Sequence, residues 1–151
     1  MASSKNKIGL KFEGFEEMIA KLEQLEGDLK STTEKALIES KKRVNEELKR
    51  VTIPANFPAH GKYSSGRTAK SIDENMIVTW IGTTAEIHVG YNMEISGMTS
   101  IFLMYGTPRH KPPMRAVRQM YNAIYGSKIK KEVGEVQREV FAAEIKRRMG
   151  G

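Results

Sequence analysis

The chain contains no cysteine. That excludes a disulfide framework, a thiol nucleophile and any metal held by thiolates. Aromatic residues are scarce, 7% of 151 positions with a single tryptophan, so the core must be mostly aliphatic. No apolar run approaches the roughly 20 residues that a membrane-spanning helix requires. The opening Met1-Ala2-Ser3-Ser4-Lys5-Asn6-Lys7 lacks the apolar stretch of a signal peptide, so the protein is expected to be made and kept in a cytoplasm or in an assembly built there. Acidic residues are missing from one long span. Between Ile95 and Lys131 there is none, whereas Arg109, Lys111, Arg115, Arg118, Lys128, Lys130 and Lys131 all fall there. The flanks balance, with 14 bases against 14 acids from Met1 to Glu94 and 4 against 4 from Glu132 to Gly151. The whole net charge of +7 therefore sits in the acid-free block. Such a block produces a positive surface potential that can face nucleic acid, an acidic protein partner or solvent.

What is present fits one globular domain. The hydrophobic fraction is 39% and the charged fraction 28%, within the ordinary range though toward a thin core. Residues 8–149 are expected to form that domain and residues 1–7 a disordered N-terminal segment. Ile8 to Glu13 alternates apolar and polar, the period of a strand, although Gly9 weakens it. Phe15, Met18, Ile19, Leu22 and Leu25 recur at helical spacing to about Glu26, with Gly27 as a break. A longer helix is expected from Asp28 to Val51, with Leu29, Ala36, Leu37, Val44, Leu48 and Val51 near one stripe. Pro54 ends it. Pro54 to Ser65 reads as a long loop, and Gly66 to Ile72 as a helical turn or the approach to a strand. Met76–Ile81 and Ala85–Tyr91, joined by Gly82-Thr83-Thr84, read as a hairpin. Asn92 to Ser100 is another loop. Val117, Met120, Tyr121 and Ile124 predict a helix ending at Gly126, and a last one runs from Lys128 to Arg148 with Ile129, Val133, Val136, Val140 and Ile145 near one face. The order predicts an α+β fold, a small antiparallel sheet packed against long helices, with extended loops or arms.

The most informative stretch lies between the hairpin and the last helices. Ile101 to Tyr105 is an apolar run, a buried strand or short helix. Gly106-Thr107-Pro108 turns the chain, Arg109-His110-Lys111 adds charge, and Pro112-Pro113 opens the next helical pattern. Three prolines in this span hold the backbone extended and remove donors a sheet would need. The residues predict a stiff, positively charged arm. Thr107, Pro108, Arg109, His110, Lys111, Pro112, Pro113 and Arg115 are the candidates for contact with a neighbouring subunit.

Catalytic chemistry finds little support. Gly61 to Thr68 approaches the phosphate-binding loop pattern, but carries arginine for lysine and follows a loop instead of a strand. His60, His88 and His110 have no metal-ligand spacing. No cofactor, metal or enzymatic activity is expected. A small basic nucleic-acid-binding protein is the alternative that the acid-free block supports, although the block shows neither a groove-reading helix nor an interleaved aromatic platform.

With these residues in view, the chain resembles the tail-component family of long-tailed bacteriophages, the head–tail joining or tail-completion proteins. The resemblance spans Ile8 to Met149. It rests on the opening Gly9-Leu10-Lys11-Phe12-Glu13-Gly14-Phe15, the long charged helix ending near Ile53-Pro54, and Gly66-Arg67-Thr68-Ala69-Lys70-Ser71-Ile72. Val89-Gly90-Tyr91 closes the hairpin, and Tyr105-Gly106-Thr107 with Pro112-Pro113-Met114-Arg115-Ala116 precedes the last helices. Two positions depart from the pattern. Met104 stands where an acid is usual, and Thr68-Ala69 where leucine is usual. The resemblance implies a virion structural protein at the head–tail junction, assembled in the host cytoplasm. It implies a homo-oligomeric ring, a hexamer by the tail's symmetry, between tail tube protein and head-closure or connector proteins. DNA would pass through the lumen without sequence-specific binding, and no membrane would be involved.

Overall fold

The computed structural model describes residues 7–58, 66–92, 95, 99, 103–106 and 115–150. Helix α2 (Leu29–Val51) is the element on which the rest packs. Asp28 caps it, its carboxylate accepting from the Ser31 N–H at 3.0 Å. Ala36, Leu37, Val44, Leu48 and Val51 are buried as the stripe predicts, but so are Ser40, Lys41 and Asn45. The buried arc is wide because α2 is covered on more than one side, by α4 (Arg118–Tyr125), by α5 (Ser127–Met149) and by the sheet.

The sheet has three strands in the order β1 (Lys7–Ile8), β3 (Thr84–His88), β2 (Thr79–Ile81), all antiparallel. Ile81 pairs with Thr84, so the hairpin turn is two residues, with Gly82 at φ 63. Beyond β3 the chain stays extended to Tyr91, which bridges Ile72. Ala85, Ile87, Val89 and Tyr91 alternate into the core. Gly66 to Ile72 forms the short helix α3 (Arg67–Lys70) and then this bridge.

Two expectations are corrected here. The strand expected from Ile8 to Glu13 is paired only at Lys7 and Ile8. Gln137 of α5 is fully buried and takes the place of a neighbouring strand beyond that point. It donates to the Gly9 carbonyl at 2.8 Å and accepts from the Lys11 N–H at 2.9 Å. Gly134, one turn earlier, lets this segment approach, since a Cβ there would lie 3.3 Å from the Lys11 carbonyl. The ordered sheet also starts one residue inside the segment expected to be disordered, because Lys7 pairs with His88. Residues 1–6 lie outside the described residues.

Helix α1 (Phe15–Gln24) stops short of Glu26. The Gly27 N–H bonds the Leu22 carbonyl at 2.9 Å and the Glu26 N–H bonds that of Glu23 at 3.0 Å, the paired bonds of a Schellman cap. Glu26 takes the left-handed position at φ 57. Gly27 is needed for space, because a Cβ there would fall 2.2 Å from Leu22. Phe15 meets Phe141 of α5 edge-on at 5.7 Å, sealing a cluster with Leu22, Ala36 and Ile145. The main core gathers Val44, Leu48, Val89, Tyr91, Met120 and Ile129. Residues 103–105 are helical, and Leu103 and Met104 join that core. The apolar run from Ile101 thus ends as a helix, and Met104 packs as a hydrophobe.

Candidate interaction surface

The proposed arm is anchored at both ends. Leu103 and Met104 on one side and Val117 on the other are 5–6% exposed. The Val117 N–H donates to the Leu103 carbonyl at 2.6 Å. Gly106, at φ 77, turns the chain out of the helical residues just past this anchor. Leu103 and Val117 are thus held side by side in the body. Of the candidate contact residues, Thr107, Pro108, Arg109, His110, Lys111, Pro112 and Pro113 lie outside the described residues. Arg115 is described, and it is exposed on the return limb before α4.

The fold assembles an aromatic cluster at this base. The ring of Tyr105 meets that of Tyr121 at 5.7 Å and 77°, and Tyr121 meets Tyr125 at 5.0 Å. Tyr105 is 54% exposed and Tyr121 39%. Burial, then a hydrogen bond with Tyr105, raises the Tyr125 phenol well above its ordinary range. Along the chain this block shows no interleaved aromatic platform. The signal was present in part, since Tyr121 and Tyr125 are four apart on a helix; Tyr105 joins them only through the tertiary fold.

The same block carries exposed cations. Arg115, Arg118, Lys128, Lys130 and Lys131 are all exposed, and none forms an ion pair among the described residues. Several charges elsewhere find partners within the chain. Arg43 reaches Glu132 at 2.8 Å, Lys7 reaches Glu86 at 3.0 Å, and Arg147 and Arg148 share Glu144. A cleft of about 540 Å³ lies between β1 and the start of α5, with Val44, Val89 and Ile129 in its lining beside Lys11, Lys130 and Lys131. The described end of the molecule that carries the acid-free block is thus cationic, partly aromatic and adjacent to an apolar recess.

Among the described residues no group of three or more acidic or histidine side chains is placed to hold a metal ion. Nor is any helix among them long and apolar enough to cross a membrane. Arg67 and Thr68, the end of the phosphate-loop-like stretch, sit in a four-residue helix, with Arg67 donating to the Ile95 carbonyl at 2.8 Å. No family profile, no curated protein and no solved structure matches the chain.

Proposed function

We propose that the chain is a structural subunit of a phage virion at the head–tail junction, a ring-forming tail-completion or neck protein that joins the tail tube to the head connector. The observation that carries this reading is the pinned base of the 103–117 segment. Two buried limbs hydrogen-bonded at 2.6 Å hold it, with exposed Tyr105 and Tyr121 and uncompensated Arg115 and Arg118 around it. Tyrosine and arginine clustered on one surface are the residue types that dominate protein contacts. A closed ring needs two different patches that meet head to tail, and a segment projecting from a rigid base supplies one of them. The ring is homo-oligomeric, a hexamer if it follows the tail.

The test is the mass and symmetry of the purified protein, alone and with tail tubes, before and after deletion of Thr107 to Pro113. Because the base is closed by Leu103 and Val117, the deleted chain should keep its helical content. It should lose ring formation and docking onto tubes. A deleted chain that assembles as before overturns the assignment of the segment, and an intact chain that never forms rings or docks overturns the function.

A second reading is favoured by the tyrosine cluster among unpaired cations, which suits single-stranded nucleic acid by stacking and charge. It requires binding by the isolated monomer that weakens steeply between low and physiological salt and fails on Tyr105→Ala with Tyr121→Ala.

A further inference from the structure

The two edges of the sheet are treated differently. The β1 edge carries Lys7, and just past it the Gln137 amide occupies the Gly9 carbonyl and the Lys11 N–H. Among the described residues the β2 edge has no such cover. From Asn75 to Ala85 there is no charged residue and no proline, the two commonest devices by which edges are kept from pairing. Ile77 and Ile81 are 66% and 64% exposed, and Thr79 between them is exposed as well. Because Ile81 and Thr84 flank a two-residue turn, they form a hydrogen-bonded pair with β3, as Thr79 and Glu86 do. The amide and carbonyl groups of Trp80 then point away from β3, and continuing the strand by one residue would aim those of Val78 the same way.

We propose that β2 pairs with β2 of a second copy of this chain about a two-fold axis, joining two three-stranded sheets into one of six strands. The pattern is self-complementary in an antiparallel register centred on Thr79. Val78 and Trp80 of one copy exchange hydrogen bonds with Trp80 and Val78 of the other. Thr79 faces Thr79, and Ile77 faces Ile81, across the axis. Every exposed apolar side chain on the strand meets another, and no charge is brought near a like charge. Trp80 stays on the inner side, its Nε1 donating to Glu34 at 3.1 Å. The strand pair falls short of the roughly 1,000 Å² of a durable interface, so the dimer is weak and concentration-dependent. A two-fold contact closes on itself. It links two chains or two rings, and is not the head-to-tail contact that builds a ring; it stands independently of the function proposed above.

The lack of cysteine supplies the test, because a single introduced thiol can bridge only to another chain. In a non-hydrogen-bonded pair the two Cβ atoms are about 4.5 Å apart, close enough for a disulfide. The full-length Thr79→Cys protein, mildly oxidised, should form a covalent dimer at least about ten times faster than Thr83→Cys, whose exposed turn position does not meet itself across the axis. Thr79→Lys places two ammonium groups face to face. It should weaken dimerisation by sedimentation at least about tenfold, equivalent to about 1.4 kcal/mol. Equal cross-linking rates at positions 79 and 83, or an unchanged dimer fraction in Thr79→Lys, overturns the proposal. Neither measurement involves rings or tail tubes, so failure here and failure of the junction reading are told apart.

Discussion

Positive charge is handled in opposite ways at Lys41 and at Lys130–Lys131. Lys41 is 1% exposed inside α2, yet its ammonium is accounted for, by the Asp73 carboxylate at 3.3 Å and the Asn75 carbonyl. Lys130 and Lys131 stand in water on the first turns of α5 with no ion pair among the described residues. The first arrangement exists to hold the chain segment after α3 against the spine, with Asn45 also donating to the Asp73 carbonyl at 3.1 Å. The second contributes nothing to the fold that the structure can register. The buried, paired cation serves folding here, and the exposed, unpaired ones do not.

Asp73→Ala breaks this comparison most severely. It leaves the buried Lys41 with a carbonyl as its only described partner, and removing one member of a buried pair costs about 3 kcal/mol. Urea denaturation should show that loss, and Lys41→Met in the same chain should recover much of it, since the uncompensated charge disappears. Lys130→Ala and Lys131→Ala should move stability by no more than about 0.5 kcal/mol while weakening any partner that uses this end. A loss of stability from the lysine changes as large as that from Asp73→Ala would erase the distinction. Gln137→Ala extends the same logic to a neutral group. Two hydrogen bonds to the Gly9 and Lys11 backbone vanish together, for an expected loss of about 2 kcal/mol. Hydrogen exchange should rise first at Lys11, whose amide the glutamine holds.

These internal partners are also what sequence reading handled worst. The α+β class, the hairpin and the long helix followed from period-two and period-3.6 patterning, because a half-buried strand or helix writes its exposure into the chain. Partners 30 to 130 residues apart leave no such trace. Asp73 and Lys41 look like two ordinary surface charges until the fold brings them together. Gln137 interrupts the apolar face of α5, and the face was therefore expected to pass through Val136 and Val140. The buried row runs instead through Ile129, Gln137, Phe141 and Ile145, with Gln137 inside it. A polar residue four positions before Phe141 was the available clue. The arm itself was legible only as composition. Its anchoring by Leu103 and Val117 is tertiary, and its central residues lie outside the described residues.

A buried hydroxyl pair makes the next test, on a smaller scale and away from neutral pH. The Tyr91 phenol is pushed up to about 12 by burial, against a hydrogen bond with Thr52 at 2.7 Å that acts the other way. The folded value lies above the unfolded one of 10.0. Stability is therefore unaffected below about pH 10 and falls as pH rises from there toward 12, as unfolded chains lose a proton that folded ones keep. Tyr91→Phe should flatten this part of the alkaline limb. Tyrosinate absorbance should show one fewer late-titrating ring in the variant than in the parent, in which Tyr125 also titrates late.

The smallest effect belongs to an exposed pair, and it bounds the comparison from below. Hydrogen bonds from Arg147 and Arg148 hold the Glu144 carboxyl down at about 2, against an ordinary 4.5. Here the folded value is depressed, so the contribution is present above about pH 4.5 and is lost as pH falls toward 2. Solvent surrounds the guanidinium groups, and surface pairs of this kind contribute little and are screened by salt. Glu144→Gln should therefore leave neutral-pH stability almost unchanged and remove only a small part of the acid-induced loss, a difference that fades with added salt. If that variant were as damaging as Asp73→Ala, burial would not be what separates charges that serve the fold from charges that merely sit upon it.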